Sequence, residues 1–107
     1  MANPFAGEVA LVINGDSHIL KLTLGALVEL EQLLDTDSLV ALVERFETGS
    51  YRAKDILLLL FCGLKGGGWC GTVQELSDAD IEGGAKRAAQ VAARLLVVSF
   101  SLPEGPE

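Results

Sequence analysis

The sequence predicts an α+β fold, an N-terminal β-hairpin followed by a compact bundle of about four helices. Three observations carry that expectation. Two strand-like runs flank Asn14-Gly15 near the start of the chain. From Leu24 onward, apolar residues recur at spacings of three and four, the period of an amphipathic helix. Half of the 107 residues are apolar and the mean hydropathy is +0.39, which excludes disorder for the chain as a whole. A chain of this length is expected to form a single domain. It divides into a hairpin (8–23), a helical bundle (24–100) and a short polar tail (103–107) that should be flexible.

The hairpin comes first. Glu8-Val9-Ala10-Leu11-Val12-Ile13 is rich in β-branched residues, and Ser17-His18-Ile19-Leu20-Lys21-Leu22-Thr23 follows the turn. Asn-Gly between such runs is a strong hairpin signal, because a type I′ turn needs positive φ at both central residues. Alternation along the second run places Ile19, Lys21 and Thr23 on one face and His18, Leu20 and Leu22 on the other. Two strands alone are marginal, so helices must cover the apolar face.

Four helical segments are expected after it. The first, 24–34, has Thr23 as N-cap, a stripe of Leu24, Leu27, Val28 and Leu34, and polar Glu29, Glu31 and Gln32. The second, 38–46, is capped by Asp37 or Ser38. Its stripe is Leu39, Val43 and Phe46, with Glu44, Arg45 and Glu47 facing water, and Gly49 ends it. The third, 52–65, is capped by Ser50 and stopped by Gly66-Gly67-Gly68. Its centre, residues 56–62, is apolar all round, the mark of a core element or of a surface awaiting a partner. The fourth, 78–99, opens with Ser77-Asp78-Ala79-Asp80, which resembles a capping box. Ile81, Ala85, Ala88, Ala92 and Leu95 form its core stripe, opposite Gly83, Arg87, Gln90 and Arg94. Its alanines permit close helix approach, and its polar face disappears after Arg94.

Composition narrows the function. Eight basic residues against fifteen acidic ones give a net charge of −7, the wrong sign for recognising phosphates or nucleic acid. The longest apolar run, 56–62, falls far short of the roughly 20 residues a membrane span needs. The first residues show neither the basic nor the apolar region of a secretory signal. Two cysteines in so apolar a chain do not suggest a disulfide scaffold. A soluble, cytoplasmic protein is the expectation.

No pattern points to catalysis. His18 is the single histidine, and a half-packed strand residue is the simpler account of it than a proton acceptor for a nucleophile. Cys62 and Cys70, eight positions apart, do not have the spacing of a zinc site. Asp78, Asp80, Glu82 and Gly83 match the opening of a calcium loop, but loop position twelve is Ala89 where a bidentate Glu belongs. The glycines at 66–68 follow a helix instead of preceding one, so the order of a phosphate-binding loop is missing. The expectation is a non-enzymatic protein with no cofactor and no metal.

What the sequence offers instead is apolar surface. Trp69 lies in a loop after three glycines, where it is either a lid on the core or an interface anchor. The runs 57–61 and 95–102 read first as core, but four short helices and one hairpin offer limited shelter, and an apolar patch left exposed would mark a partner site. The candidate contact residues are Leu58, Phe61, Trp69, Val97, Val98 and Phe100.

Several segments taken in order resemble one known family. They are Asn3-Pro4-Phe5-Ala6-Gly7-Glu8-Val9-Ala10-Leu11 with Asn14-Gly15, then Leu22-Thr23-Leu24-Gly25-Ala26-Leu27-Val28-Glu29-Leu30-Glu31. Leu39-Val40-Ala41-Leu42-Val43-Glu44-Arg45-Phe46, Gly63-Leu64-Lys65-Gly66-Gly67-Gly68 and the alanine-rich last helix continue the match. Over residues 3–100 the chain is similar to a small tail protein of bacterial gene transfer agents, phage-like particles that package host DNA. That family resembles tail assembly chaperones and has also been labelled a tail tube protein. The resemblance implies a non-enzymatic role in tail morphogenesis, with the tape measure protein, tail tube subunits or both as partners, and supplies no catalytic residues. A chaperone of this kind holds the helical, aggregation-prone tape measure protein until the tube polymerises around it. The alternative is a structural tube or connector subunit, though tube rings are usually β-rich and only one hairpin is expected here. Self-association stays open. A negative, helical, apolar-rich domain suits an amphipathic helix bound in a groove, and its charge would repel the packaged DNA.

Overall fold

The computed structural model describes residues 7–34 and 38–100. It is a two-stranded antiparallel hairpin followed by helices, as the sequence predicts. Strand β1 (Glu8–Ile13) pairs with β2 (Asp16–Lys21) in the register Val9–Leu20, Leu11–His18 and Ile13–Asp16. The turn residues Asn14 and Gly15 have φ of 52° and 85°, the positive pair that a type I′ connection demands. Facing residues share a side, so Val9, Leu11, Ile13, Leu20 and the following Leu22 enter the core together. The expected tail at 103–107 and the alternative cap Asp37 lie outside the described residues.

Helix α1 (Leu24–Leu34) starts as expected, with the Thr23 hydroxyl accepting from Ala26 N at 3.1 Å. Its buried stripe is Ala26, Leu30 and Leu34. The expected stripe is therefore corrected at two positions: Leu24 is 79% exposed and Val28 also faces water. The helix rotates until Ala26 meets the end of the third helix, where a small side chain is needed.

Helix α2 (Leu39–Thr48) is capped by Ser38, which accepts from Ala41 N, and ends on Gly49 in the left-handed region. It buries only Leu42 fully, with Leu39, Val43 and Phe46 packed at the core's margin. Arg45 departs from expectation. It turns inward to Asp55 on helix α3 (Ala53–Gly66), with Nε and Nη2 donating to the two carboxylate oxygens at 2.9 and 3.0 Å. The same carboxylate accepts from the backbone N–H of Arg52 at 2.8 Å. Arg52, not Ser50, is thus the N-cap residue of α3. The Ser50 hydroxyl instead lies 2.9 Å from that of Thr48.

Helix α3 is the central element. Leu58, Leu59, Leu60, Phe61, Cys62 and Leu64 are all buried, between the hairpin, α1, α4 (Val73–Ser77) and α5 (Gly84–Phe100). Its glycine end does more than stop a helix. A methyl group on Gly66 or Gly67 would collide with the carbonyl oxygens of Lys21 or Ile19. The backbone of α3 therefore packs directly on the outer edge of β2, an approach open only to glycine.

Two differences follow Gly68. The short helix α4 carries a full capping box, with Glu75 N donating to Thr72 Oγ1 at 3.1 Å and Thr72 N to Glu75 Oε1 at 2.8 Å. The expected helix over 78–99 begins only at Gly84. Gly83 and Gly84 have φ of 87° and 69°, left-handed values that keep the helix from extending back beyond Gly84. The stretch before them is held as a third, minimal strand. Ile81 bridges Ile13, Asn14 N donates to Asp80 O at 2.8 Å and Glu82 N to Val12 O at 3.1 Å. Ser77 ends α4 instead of opening a capping box. On α5 the buried stripe is Ala88, Val91, Ala92, Leu95 and Leu96, and Ala85 is exposed.

Candidate functional site

The C-terminal half of α5 and one side of α2 enclose an open, mostly apolar cleft of about 400 Å³, lined by Val43, Phe46, Glu47, Ala93, Leu96, Val97 and Phe100. Helical periodicity explains it. On α5 the core takes Ala88, Val91, Ala92 and Leu95. A second series, Ala85, Ala89, Ala93, Leu96 and Phe100, recurs at three- and four-residue steps and so forms its own stripe. Its C-terminal part, Ala93, Leu96 and Phe100, runs beside α2, which covers it only in part, while Ala85 faces α3 and α4. Val97 stands 52% exposed and Phe100 36%. The opposite wall is stiffened by a stack of Phe46 on Tyr51, with ring centroids 4.6 Å apart and planes 10° from parallel.

The six expected contact residues divide. Val97 and Phe100 line the cleft. Val98 is half-buried and packs against the core. Leu58 and Phe61 are buried on α3 and present almost no surface, because α3 lies at the centre of the fold. Trp69 is half-buried, edge-on to Phe61 at 6.4 Å between centroids. It closes one end of the core and lines a separate, more polar depression with Asp16, His18, Cys70 and Glu75. The sequence reading assigned Val43 and Phe46 to the core stripe of their helix and so missed them as cleft residues. The alternation of small and large apolar residues on the outer side of α5 was the signal that could have found the second stripe.

The remaining apolar surface lies at the N-terminal half of α5. Ile56, Leu57, Leu60, Leu76, Ile81 and Ala85 surround a shallow depression of about 160 Å³. Leu24, Val28 and Val40 are exposed singly on α1 and α2.

Two titratable groups, Asp55 and Cys62, are shifted by their surroundings. Burial alone would push the Asp55 carboxyl up, but the hydrogen bonds from Arg45 and from the backbone and side chain of Arg52, with the Arg45 charge, hold it below the usual carboxylate value. The Cys62 thiol is pushed up to about 12, first by burial and then by the Glu29 charge, against a smaller opposing effect of Lys65. At that value almost none of it is thiolate at neutral pH, and it packs as a small apolar side chain. Cys70 is exposed, and both thiols are free. Among the described residues no three His, Cys, Asp or Glu side chains converge to hold a metal ion. Among the same residues no helix is long and apolar enough to cross a membrane.

Fold and cleft together define a small hairpin-and-helix protein whose open chemistry is an apolar helical groove. The family whose description reads "Phage tail tube protein, GTA-gp10" matches residues 6–101. The chain belongs to that family, the tail proteins of phage-like gene transfer agents, and its role lies with the tail. Neither a curated protein nor a solved structure matches the chain.

Proposed function

We propose that the protein is a non-enzymatic tail assembly chaperone of the bacterial cytoplasm, holding a helical segment of the tape measure protein in the α2–α5 groove. The observation that carries this reading is the second apolar stripe of α5. Along the cleft it runs from Ala93 to Phe100, about 10 Å at 1.5 Å per residue, and it carries two exposed large side chains, Val97 and Phe100. A groove lined by Val43, Phe46, Leu96 and Phe100 accepts the apolar face of a helix through i, i+3, i+4 anchors. The net charge of −7 keeps such a carrier soluble while the groove is empty.

Co-expression with the tape measure protein tests the reading. The tape measure protein should become soluble and elute with this chain. If it stays insoluble and no complex forms, the chaperone role fails.

The family description itself favours a second reading, a structural tube or connector subunit. The exposed Leu24, Val28 and Val40 would then lie at contacts between subunits. Mass spectrometry of purified particles separates the two, since a chaperone is absent from mature particles and a tube subunit is abundant in them.

A further inference from the structure

We infer that the α2–α5 groove is electrostatically polarised, and that its occupant is an amphipathic helix of another chain carrying Lys or Arg along the flank that meets Glu44 and Glu47. The inference rests on the helix-docking reading and adds the chemistry of the helix. Glu47 lines the cleft, and Glu44 lies one turn earlier on the same exposed side of α2. Neither carboxylate has a hydrogen-bond or ion-pair partner among the described residues. The cation within α2, Arg45, is turned away from the groove and engaged by Asp55. Among the described residues, the α2 side of the groove therefore carries two carboxylates with no cation paired to them. The α5 wall, Ala93, Leu96, Val97 and Phe100, is apolar, so the charge at the cleft lies on the α2 side.

The lining, including Val43, Phe46, Leu96 and Phe100, is apolar, and the two carboxylates stand at its exposed rim, where pairing gives direction more than strength. A helix lying here buries its seam whatever its flanks. Only a basic flank toward α2 turns the lone carboxylates into pairs, which fixes partner choice and direction more than it adds affinity. A second copy of this chain is a poorer occupant, because two molecules of net charge −7 repel.

Two labelled helical peptides of about 18 residues, long enough to span the groove at 1.5 Å per residue, test this by fluorescence anisotropy with the full chain. Both carry the same Leu/Ala seam, one with Lys flanks and one with Glu flanks. The Lys peptide should bind about fivefold more tightly, as two exposed pairs allow. That preference should invert in Glu44→Lys/Glu47→Lys. It should persist in Glu31→Lys/Asp78→Lys, which changes the net charge equally on other surfaces. Circular dichroism establishes that both double variants are folded. If both peptides bind and the preference is the same in the two double variants, the polarity is wrong while helix docking stands. If neither peptide binds the unmodified chain, the docking reading falls and the polarity with it. If sedimentation shows a dimer that Val97→Asp abolishes, the occupant is a second copy and the inference is overturned.

Discussion

Arg45 and Asp55 are joined across the gap between α2 and α3 by two parallel hydrogen bonds of 2.9 and 3.0 Å, and the carboxylate is 0% exposed. Bidentate pairing of this kind sets position and orientation together. It matters because α2 buries so little else. Leu42 is its one fully buried residue, so the ion pair determines where one wall of the groove stands.

Removing the acid is expected to be costly. Asp55→Ala should destabilise the protein by about 3 kcal/mol, because a buried ion pair broken from one side leaves its partner uncompensated. Urea unfolding at neutral pH measures this. The folded-state pKa of Asp55 lies below its unfolded value. Its contribution is therefore complete above the unfolded value of about 3.9 and is lost as pH falls through the folded value. The stability gap between wild type and Asp55→Asn should accordingly shrink below about pH 4. A gap that stays constant down to pH 2 would mean that the charge is not what holds α2.

The glycines at 66 and 67 should tolerate nothing larger. In Gly66→Ala or Gly67→Ala the added methyl meets a backbone carbonyl of β2, and neither backbone can yield without separating α3 from the hairpin. A loss of about 3 kcal/mol is expected, at the upper end for overpacking. Gly25→Ala is the control. Gly25 lies in α1 without a positive φ, and the nearest atom to an added methyl is Thr23 Oγ1 at 4.0 Å, so the change should cost no stability. Equal losses at all three sites would refute close approach as the reason for the run.

The two thiols should separate cleanly. Cys70 is exposed and Cys62 buried, with its pKa near 12. A thiol reagent at about pH 8 should label one cysteine per folded chain, since a pKa of 12 leaves about one thiol in ten thousand ionised. The second should react only in denaturant. Labelling of both in native buffer would show that α3 is less sheltered than its packing indicates.

Local signals carried much of this fold. Asn14-Gly15, Thr23, Ser38 and Gly49 each act through bonds to residues a few positions away, so their roles were readable in sequence. The exceptions are long-range. Nothing near Arg45 announces that its partner lies ten residues on, across a turn. Ser77-Asp78-Ala79-Asp80 reads as a helix start until Gly83-Gly84 takes two positive φ values and the preceding backbone pairs with β1. The true start of α4, Thr72-Val73-Gln74-Glu75, had its capping box in plain view. Leu24 and Val28 fit a helical stripe as well as Ala26 and Leu30 do, and only the close approach of Gly66 to Ala26 selects between them. For the groove, hydrophobicity alone ranked Leu58 and Phe61 with Val97 and Phe100. Which of these lie inside depends on α3 being central, a property of the assembled chain.

That difference gives the most direct test of where partners bind. A charge placed on a half-exposed apolar residue changes stability little, because the new group stays hydrated. Val97→Asp should therefore shift the unfolding free energy by no more than about 0.5 kcal/mol. At a groove it would meet the apolar seam of a docked helix and cost a desolvated charge, so binding should fall by about tenfold or more. Phe61→Ala should behave in the opposite way. It removes a buried ring and its edge contact with Trp69, which costs about 3 kcal/mol. Whatever folded protein is left should bind a partner helix with nearly unchanged affinity. Measuring both quantities for both variants makes a double dissociation. If Phe61→Ala abolishes binding at temperatures where circular dichroism shows it folded, while Val97→Asp binds normally, the contact surface lies around α3 and Trp69 and not in the α2–α5 groove.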